Sequence, residues 1–99
     1  MNTDIRIELE GTRARGRYVA RVAGREGEAE LTFRELAPGI VAANHTYAPP
    51  ELRGTGAARA LVARLAADAR TEGFRVRPAC SYVAAEFDRH PDWADLLAR

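Results

Sequence analysis

The sequence predicts an α/β domain with a mixed sheet: four antiparallel strands, then a helix, a parallel fifth strand and C-terminal helices. Three observations carry that expectation. Apolar and polar residues alternate through the first half, the period lengthens to that of a helix after Pro49 and Pro50, and a short apolar segment returns after Gly73.

Ile5, Ile7 and Leu9 alternate with Arg6, Glu8 and Glu10, which is a strand with one wet face, and Gly11 and Thr12 interrupt it. A second strand over roughly residues 15–23 places Tyr18, Ala20 and Val22 on one face, and residues 24–27 supply hairpin-turn chemistry. Ala29, Leu31 and Phe33 define a third strand, and the Ala37-Pro38-Gly39 turn leads to a fourth over residues 40–47. That strand starts apolar and turns polar at Asn44, His45 and Thr46. Short connections make the four an antiparallel meander. Ala58, Leu61, Val62, Leu65, Ala66 and Ala69 then form one apolar helical stripe, which Gly73 is expected to stop. A fifth strand over roughly residues 74–80, parallel to the fourth, completes a right-handed strand–helix–strand unit. Ser81 is placed to cap a helix through Arg89, and Pro91 to open a last short helix to Arg99.

The chain has 99 residues, 46% of them hydrophobic, and is expected to form one globular domain over residues 1–99. Twenty alanines make its core modest. Fifteen basic residues, every one an arginine, against fourteen acidic ones leave a formal charge of +1, too balanced for a protein that coats nucleic acid. Without lysine there is no lysine catalysis. The single Cys80 cannot form an internal disulfide, no basic segment followed by an apolar run opens the chain, and no apolar stretch approaches the roughly 20 residues that cross a bilayer. A cytoplasmic location without membrane attachment is the expectation.

The informative stretch is Arg53-Gly54-Thr55-Gly56-Ala57-Ala58, between the polar end of a strand and the best helix. Glycines let backbone approach a ligand, and unpaired N–H groups at a helix start, aided by the dipole, form an anion site suited to a pyrophosphate. A tight strand-to-helix turn is the plainer account of two glycines. The phosphate loop G-x-x-x-x-G-K-[ST] is absent, and the third glycine of the dinucleotide fingerprint falls on Arg59, so ATP and NAD are poor candidates.

With that loop, His45-Thr46 before it, Pro78-x-Cys80-Ser81-Tyr82-Val83 after the fifth strand, and Arg89-His90-Pro91, the chain resembles the GNAT superfamily of acetyl-CoA-dependent N-acetyltransferases. The likeness is closest to the subfamily of about one hundred residues. Glu51 stands where the superfamily loop carries Gln or Arg. The resemblance implies that backbone amides of Arg53, Gly54, Thr55, Gly56, Ala57 and Ala58 hold the coenzyme A pyrophosphate. It also implies that the end of the fourth strand (Thr46, Tyr47, Ala48) pairs with the pantetheine arm, and that the thioester ends between splayed fourth and fifth strands, near His45 and Cys80.

Three residues are candidates for the chemistry. His45 suits a general base, because histidine is the side chain whose neutral form is accessible near physiological pH, or is a hydrogen-bonded strand-end histidine. Cys80 could line the thioester site, act as a nucleophile, or be a small buried hydrophobe. Tyr82 could reprotonate the departing thiolate, as the resemblance implies, or pack in the core. His90 reads as a cap or packing residue, and Trp93 as a core or dimer anchor. His45, Cys80 and His90 lack the spacing of a zinc site. Arg13, Arg15, Arg17, Arg21 and Arg25 share parity and could meet RNA or an acidic acceptor, although a solvated face is the simpler account.

The function these observations favour is transfer of an acetyl group from acetyl-CoA to a small-molecule or peptide amine by a monomer or homodimer. A non-catalytic coenzyme A-binding module is the alternative, and an Arg-rich RNA-binding domain a third.

Overall fold

A computed structural model describes residues 4–98. The five strands are β1 (Ile5–Gly11), β2 (Arg15–Val22), β3 (Ala29–Ala37), β4 (Ile40–Tyr47) and β5 (Arg75–Pro78), in the sheet order β1-β2-β3-β4-β5. The first four are antiparallel and β5 runs parallel to β4, the mixed sheet expected. Between β4 and β5 lie a 3-10 turn (Pro50–Leu52) and helix α1 (Ala57–Glu72); α2 (Ser81–Asp88) and a 3-10 helix (Pro91–Leu96) follow.

The alternation in the first half drives one face of the sheet into the core. Tyr18, Ala20, Ala29, Leu31, Val41 and Ala43 are fully buried against Leu61, Val62 and Leu65 of α1. Because so many of these side chains are small, polar links add to the packing between β2 and α1. The Tyr18 hydroxyl donates to Asp68 at 2.7 Å and accepts from Arg13 at 2.9 Å, while Arg64 holds Asp68 at 3.1 Å. Helix α1 ends where expected, at Gly73 with φ 83°, whose N–H reaches the Ala69 carbonyl.

Several boundaries differ from the sequence reading. Strand β5 is four residues, because Ala79 and Cys80 turn away from the sheet to start α2. The N-cap of α2 is Cys80, and Ser81 is the first helical residue. The last helix is 3-10 and stops at Leu96, and Arg99 lies outside the described residues. Trp93 stacks on His90 at 3.8 Å between centroids and meets Phe87 edge-on at 5.2 Å, so it packs within its own chain. His90 is held by its Nδ1 at 2.8 Å from the Glu86 carbonyl. No helix among the described residues is long and apolar enough to cross a membrane.

The opposite face of the sheet carries no helix among the described residues and is a lattice of charges. Arg17 pairs with Glu10, Glu28 and Glu30, and Arg21 with Glu8 and Glu28. The five arginines expected to share parity do not share a face. Arg13 sits in the turn before β2, where it reaches Glu72 and Asp68 of α1 and stacks over Phe74 at 4.6 Å; Arg25 donates to the Glu51 carbonyl.

Candidate functional site

Beyond Ala43 the sheet forks. The β4–β5 ladder ends at the pair Ala43 and Pro78, and the Cys80 N–H donates to the Ala43 carbonyl at 3.0 Å as the chain leaves for α2. Strand β4 continues to Tyr47 with β3 on one side and, among the described residues, no strand on the other. Alternate N–H and C=O groups over residues 44–47 are therefore open to a ligand along this edge.

A β-bulge sets which side chains face the fork. Phe33 pairs with Ala43 but Thr32 pairs with His45, so Asn44 is the extra residue and alternation reverses after it. Directly paired residues share a face. Thr46, opposite buried Leu31, thus turns to the helix-covered face, and His45, opposite Thr32, to the open one. Cys80 Sγ lies 3.6 Å from Thr46 Oγ1. The structure brings Thr46 and Cys80 together and leaves His45 exposed across the sheet from them.

Burial raises the Cys80 thiol, but hydrogen bonds from the Val83 N–H, the Thr46 hydroxyl and the Tyr82 N–H outweigh that, and the net pKa falls below the ordinary cysteine value. Those two N–H groups are free because Cys80 is the N-cap of α2. Tyr82 moves the other way. Burial first, then the neighbouring Glu86 carboxylate, raises its phenol, which stays protonated at neutral pH.

The glycine loop has the geometry of an anion cradle. Gly54 and Gly56 adopt φ 81° and 89°, a left-handed conformation that residues with a side chain adopt at a cost. The amides of Arg53 and Thr55 donate to Pro50 and Leu52 carbonyls, and that of Ala57 to the Thr55 hydroxyl. Among the described residues the N–H groups of Gly54, Gly56, Ala58 and Arg59 have no acceptor, and they sit at the positive end of the 16-residue helix α1. A cavity of about 460 Å³ opens here, lined by Ala48, Leu52, residues 53–59 and Tyr82. An added Cβ would meet nothing within 4 Å at Gly54 and only Ile5 at 4.0 Å at Gly56, so packing is not what demands glycine at these positions.

Two residues here were missed from the sequence. The Arg59 amide is one of the four free donors and its side chain lines the cavity. Glu86, only 2% exposed, stands behind it with Oε1 3.6 Å from Arg59 Nε and without a hydrogen bond, while Oε2 lies 3.5 Å from Arg89. The spacing of Tyr82 and Glu86, four apart on α2, could have placed both on one face. Among the described residues no cluster of His, Cys, Asp and Glu could hold a metal ion.

No curated protein sequence matches the chain. A family model described as GCN5-related N-acetyl-transferase matches residues 17–96, a span that includes β4, the glycine loop, α1, β5 and α2. With the fork, the loop and the helix order in place, the chain belongs to the GCN5-related N-acetyltransferase family.

Proposed function

We propose that the protein transfers an acetyl group from acetyl-CoA to an amine, and the four acceptorless amides of Gly54, Gly56, Ala58 and Arg59 over an open cavity carry that reading. A pyrophosphate is the ligand such a cradle fits, since it takes several N–H donors at once and the helix dipole favours its charge. The Arg59 guanidinium adds a cation at the rim. When bound, the cofactor supplies a thioester: the amine nitrogen bonds to its carbonyl carbon, the C–S bond breaks, the amine gives up a proton and the sulfur gains one.

The chain's own residues take the remaining tasks. The open edge of β4 over Thr46, Tyr47 and Ala48 offers backbone partners to an amide-bearing arm running from the cradle to the fork. Thr46 and Cys80 line the fork, with Cys80 as a wall of the site and not a nucleophile. Tyr82, protonated, lining the glycine-loop cavity and two residues beyond Cys80, donates the proton to sulfur. His45, exposed on the open face, accepts the amine proton.

Thermal shift with coenzyme A, followed by acetyl transfer to a panel of amines, tests the reading. The expected result is stabilisation by coenzyme A, turnover on at least one amine, and turnover lowered alike by His45→Ala and His45→Gln. Tight coenzyme A binding with no accepted amine would make the protein a coenzyme A-binding module, and no stabilisation would remove the cofactor altogether.

A further inference from the structure

On the open face of the sheet Arg17 and Arg21 are neutralised by glutamates, while Arg6, Arg75 and one cross-strand row of arginines have no ion pair among the described residues. Arg15 on β2 pairs directly with Arg34 on β3, Arg34 with Ala42 on β4, and Ala42 with Arg77 on β5. All four side chains therefore share the open face in one line across the sheet. Among the described residues neither Arg15, Arg34 nor Arg77 has an ion-pair partner, whereas Arg17 and Arg21 on the same face have five such contacts with glutamates between them. Like charges directly opposite each other on a sheet are unfavourable, so this row is stabilised by whatever anion reaches it.

A cavity of about 570 Å³ lies over the row, with Arg15 and Arg34 in its wall together with Arg17, Glu10, Thr32 and Asn44. Asn44 is the bulge residue at the fork, and Thr32 is the cross-strand partner of His45. The cavity thus runs from two unpaired guanidinium groups to the place where the fork opens on this face. From the strand rise and strand spacing, Arg34 and His45 are roughly 8 Å apart at their Cα atoms. That is a few bonds of ligand once the side chains are extended.

We propose that this cavity is the acceptor site and that the acceptor is a small amine carrying a carboxylate or phosphate, held by Arg15 and Arg34 with its amine toward His45. The inference rests on the transferase reading above for what happens to the amine, but not for the binding. Guanidinium groups take carboxylate and phosphate through two parallel hydrogen bonds, which fixes orientation as well as charge. The volume suits a small ligand. A nucleic acid fits poorly, because the glutamates bound to Arg17 and Arg21 interrupt the positive track that a phosphate backbone would follow.

The test compares three amines of equal chain length, one ending in a carboxylate, one in a phosphate and one in a hydroxyl, against wild type, Arg15→Gln/Arg34→Gln and Arg6→Gln. Amide and arginine Nε NMR signals report binding without turnover. The expected result is that one or both anionic amines shift the signals of Arg15, Arg34, Thr32 and Asn44 while the hydroxyl amine does not. The double variant should lose those shifts yet keep wild-type affinity for coenzyme A, and Arg6→Gln should keep both. Which anionic amine binds more tightly identifies carboxylate or phosphate as the preferred group. In turnover, the double variant should raise KM for the anionic amine at least tenfold, with KM for the hydroxyl amine unchanged. Binding without turnover would leave the site standing and sink the transferase reading. Equal KM values for charged and neutral amines in wild type, or shifts that follow Arg6 as much as Arg15, would overturn the site.

Discussion

Gly56 and Gly73 bracket α1 with nearly the same backbone conformation, φ 89° and 83°, and neither would bring a Cβ closer than 4.0 Å to anything. Valine at either position must therefore bear the same strain and no clash, about 2 kcal/mol, the upper end of the left-handed penalty for a β-branched residue. A domain of this size has a total stability of about 5–15 kcal/mol, so both variants stay folded with melting temperatures lowered by roughly 10 °C. Their ligand behaviour should differ completely. In Gly56→Val the strained residue stands within the cradle itself, and the amides of Gly56 and Ala58 no longer converge with those of Gly54 and Arg59. Two hydrogen bonds to a charged group at about 1.5–3 kcal/mol each then disappear, which is a loss of affinity of at least about 100-fold. Calorimetry with coenzyme A on the wild type and both variants, beside thermal melts, reads the two quantities separately. Gly73→Val should bind as wild type does. A Gly56→Val protein as stable as Gly73→Val that still binds coenzyme A with wild-type affinity would refute the cradle.

Three further outcomes follow from the same geometry. The alkylation rate of Cys80 should rise with pH around a midpoint below that of an ordinary cysteine, and Thr46→Val should move that midpoint upward by removing a hydrogen bond to the thiolate; an unmoved midpoint would break the link between the two residues. Tyr82→Phe should lower kcat by about 10²–10⁴, and because the wild-type phenol titrates above its ordinary pKa of 10.0, wild-type kcat should show no alkaline fall below that pH; an alkaline fall near neutrality would remove Tyr82 as the acid. Tyr18→Phe should cost about 1.5 kcal/mol in urea unfolding, the low end for a hydrogen bond to a charged group, because Arg13 and Arg64 still hold Asp68; an unchanged midpoint would show that the arginines alone satisfy the carboxylate.

The parts of this fold that could be read in advance are those where one period dominates. The stripe from Ala58 to Ala69 gives α1, and the Ala37-Pro38-Gly39 turn together with Pro49 bounds β4 at Ile40 and Tyr47. The bulge was not legible, because Ala42 and Ala43 are both buried and small, and two adjacent alanines carry no alternation from which a phase change could be seen. Serine is the commoner cap, which directs attention to Ser81, yet the turn after Pro78 gives that position to Cys80 and so gives the thiol its hydrogen bonds. Arg13 has the parity of a β2 residue but lies in the turn closed by mutual hydrogen bonds of Thr12 and Arg15, which frees it to reach α1. Which loop amides remain free is likewise a tertiary matter, since Thr55 takes up the Ala57 N–H through its own hydroxyl.

The extra residue at Asn44 gives the end of β4 a tolerance of chain length that composition alone does not reveal. Its neighbours His45, Thr46 and Tyr47 owe their orientation to their pairing with Thr32, Leu31 and Glu30 and not to their chemistry. A single-codon deletion at position 44 would close the bulge and restore unbroken alternation from Ala43, leaving the imidazole opposite Thr32 and the threonine hydroxyl on the side of Cys80, whereas loss of one residue more would exchange the two sides of the sheet for all three at once. Substitution at Asn44 leaves that phase alone. The site therefore tolerates at this position both a change of letter and the loss of one residue, because between Ala43 and Tyr47 the strand carries one residue more than its pairing with residues 30–33 uses.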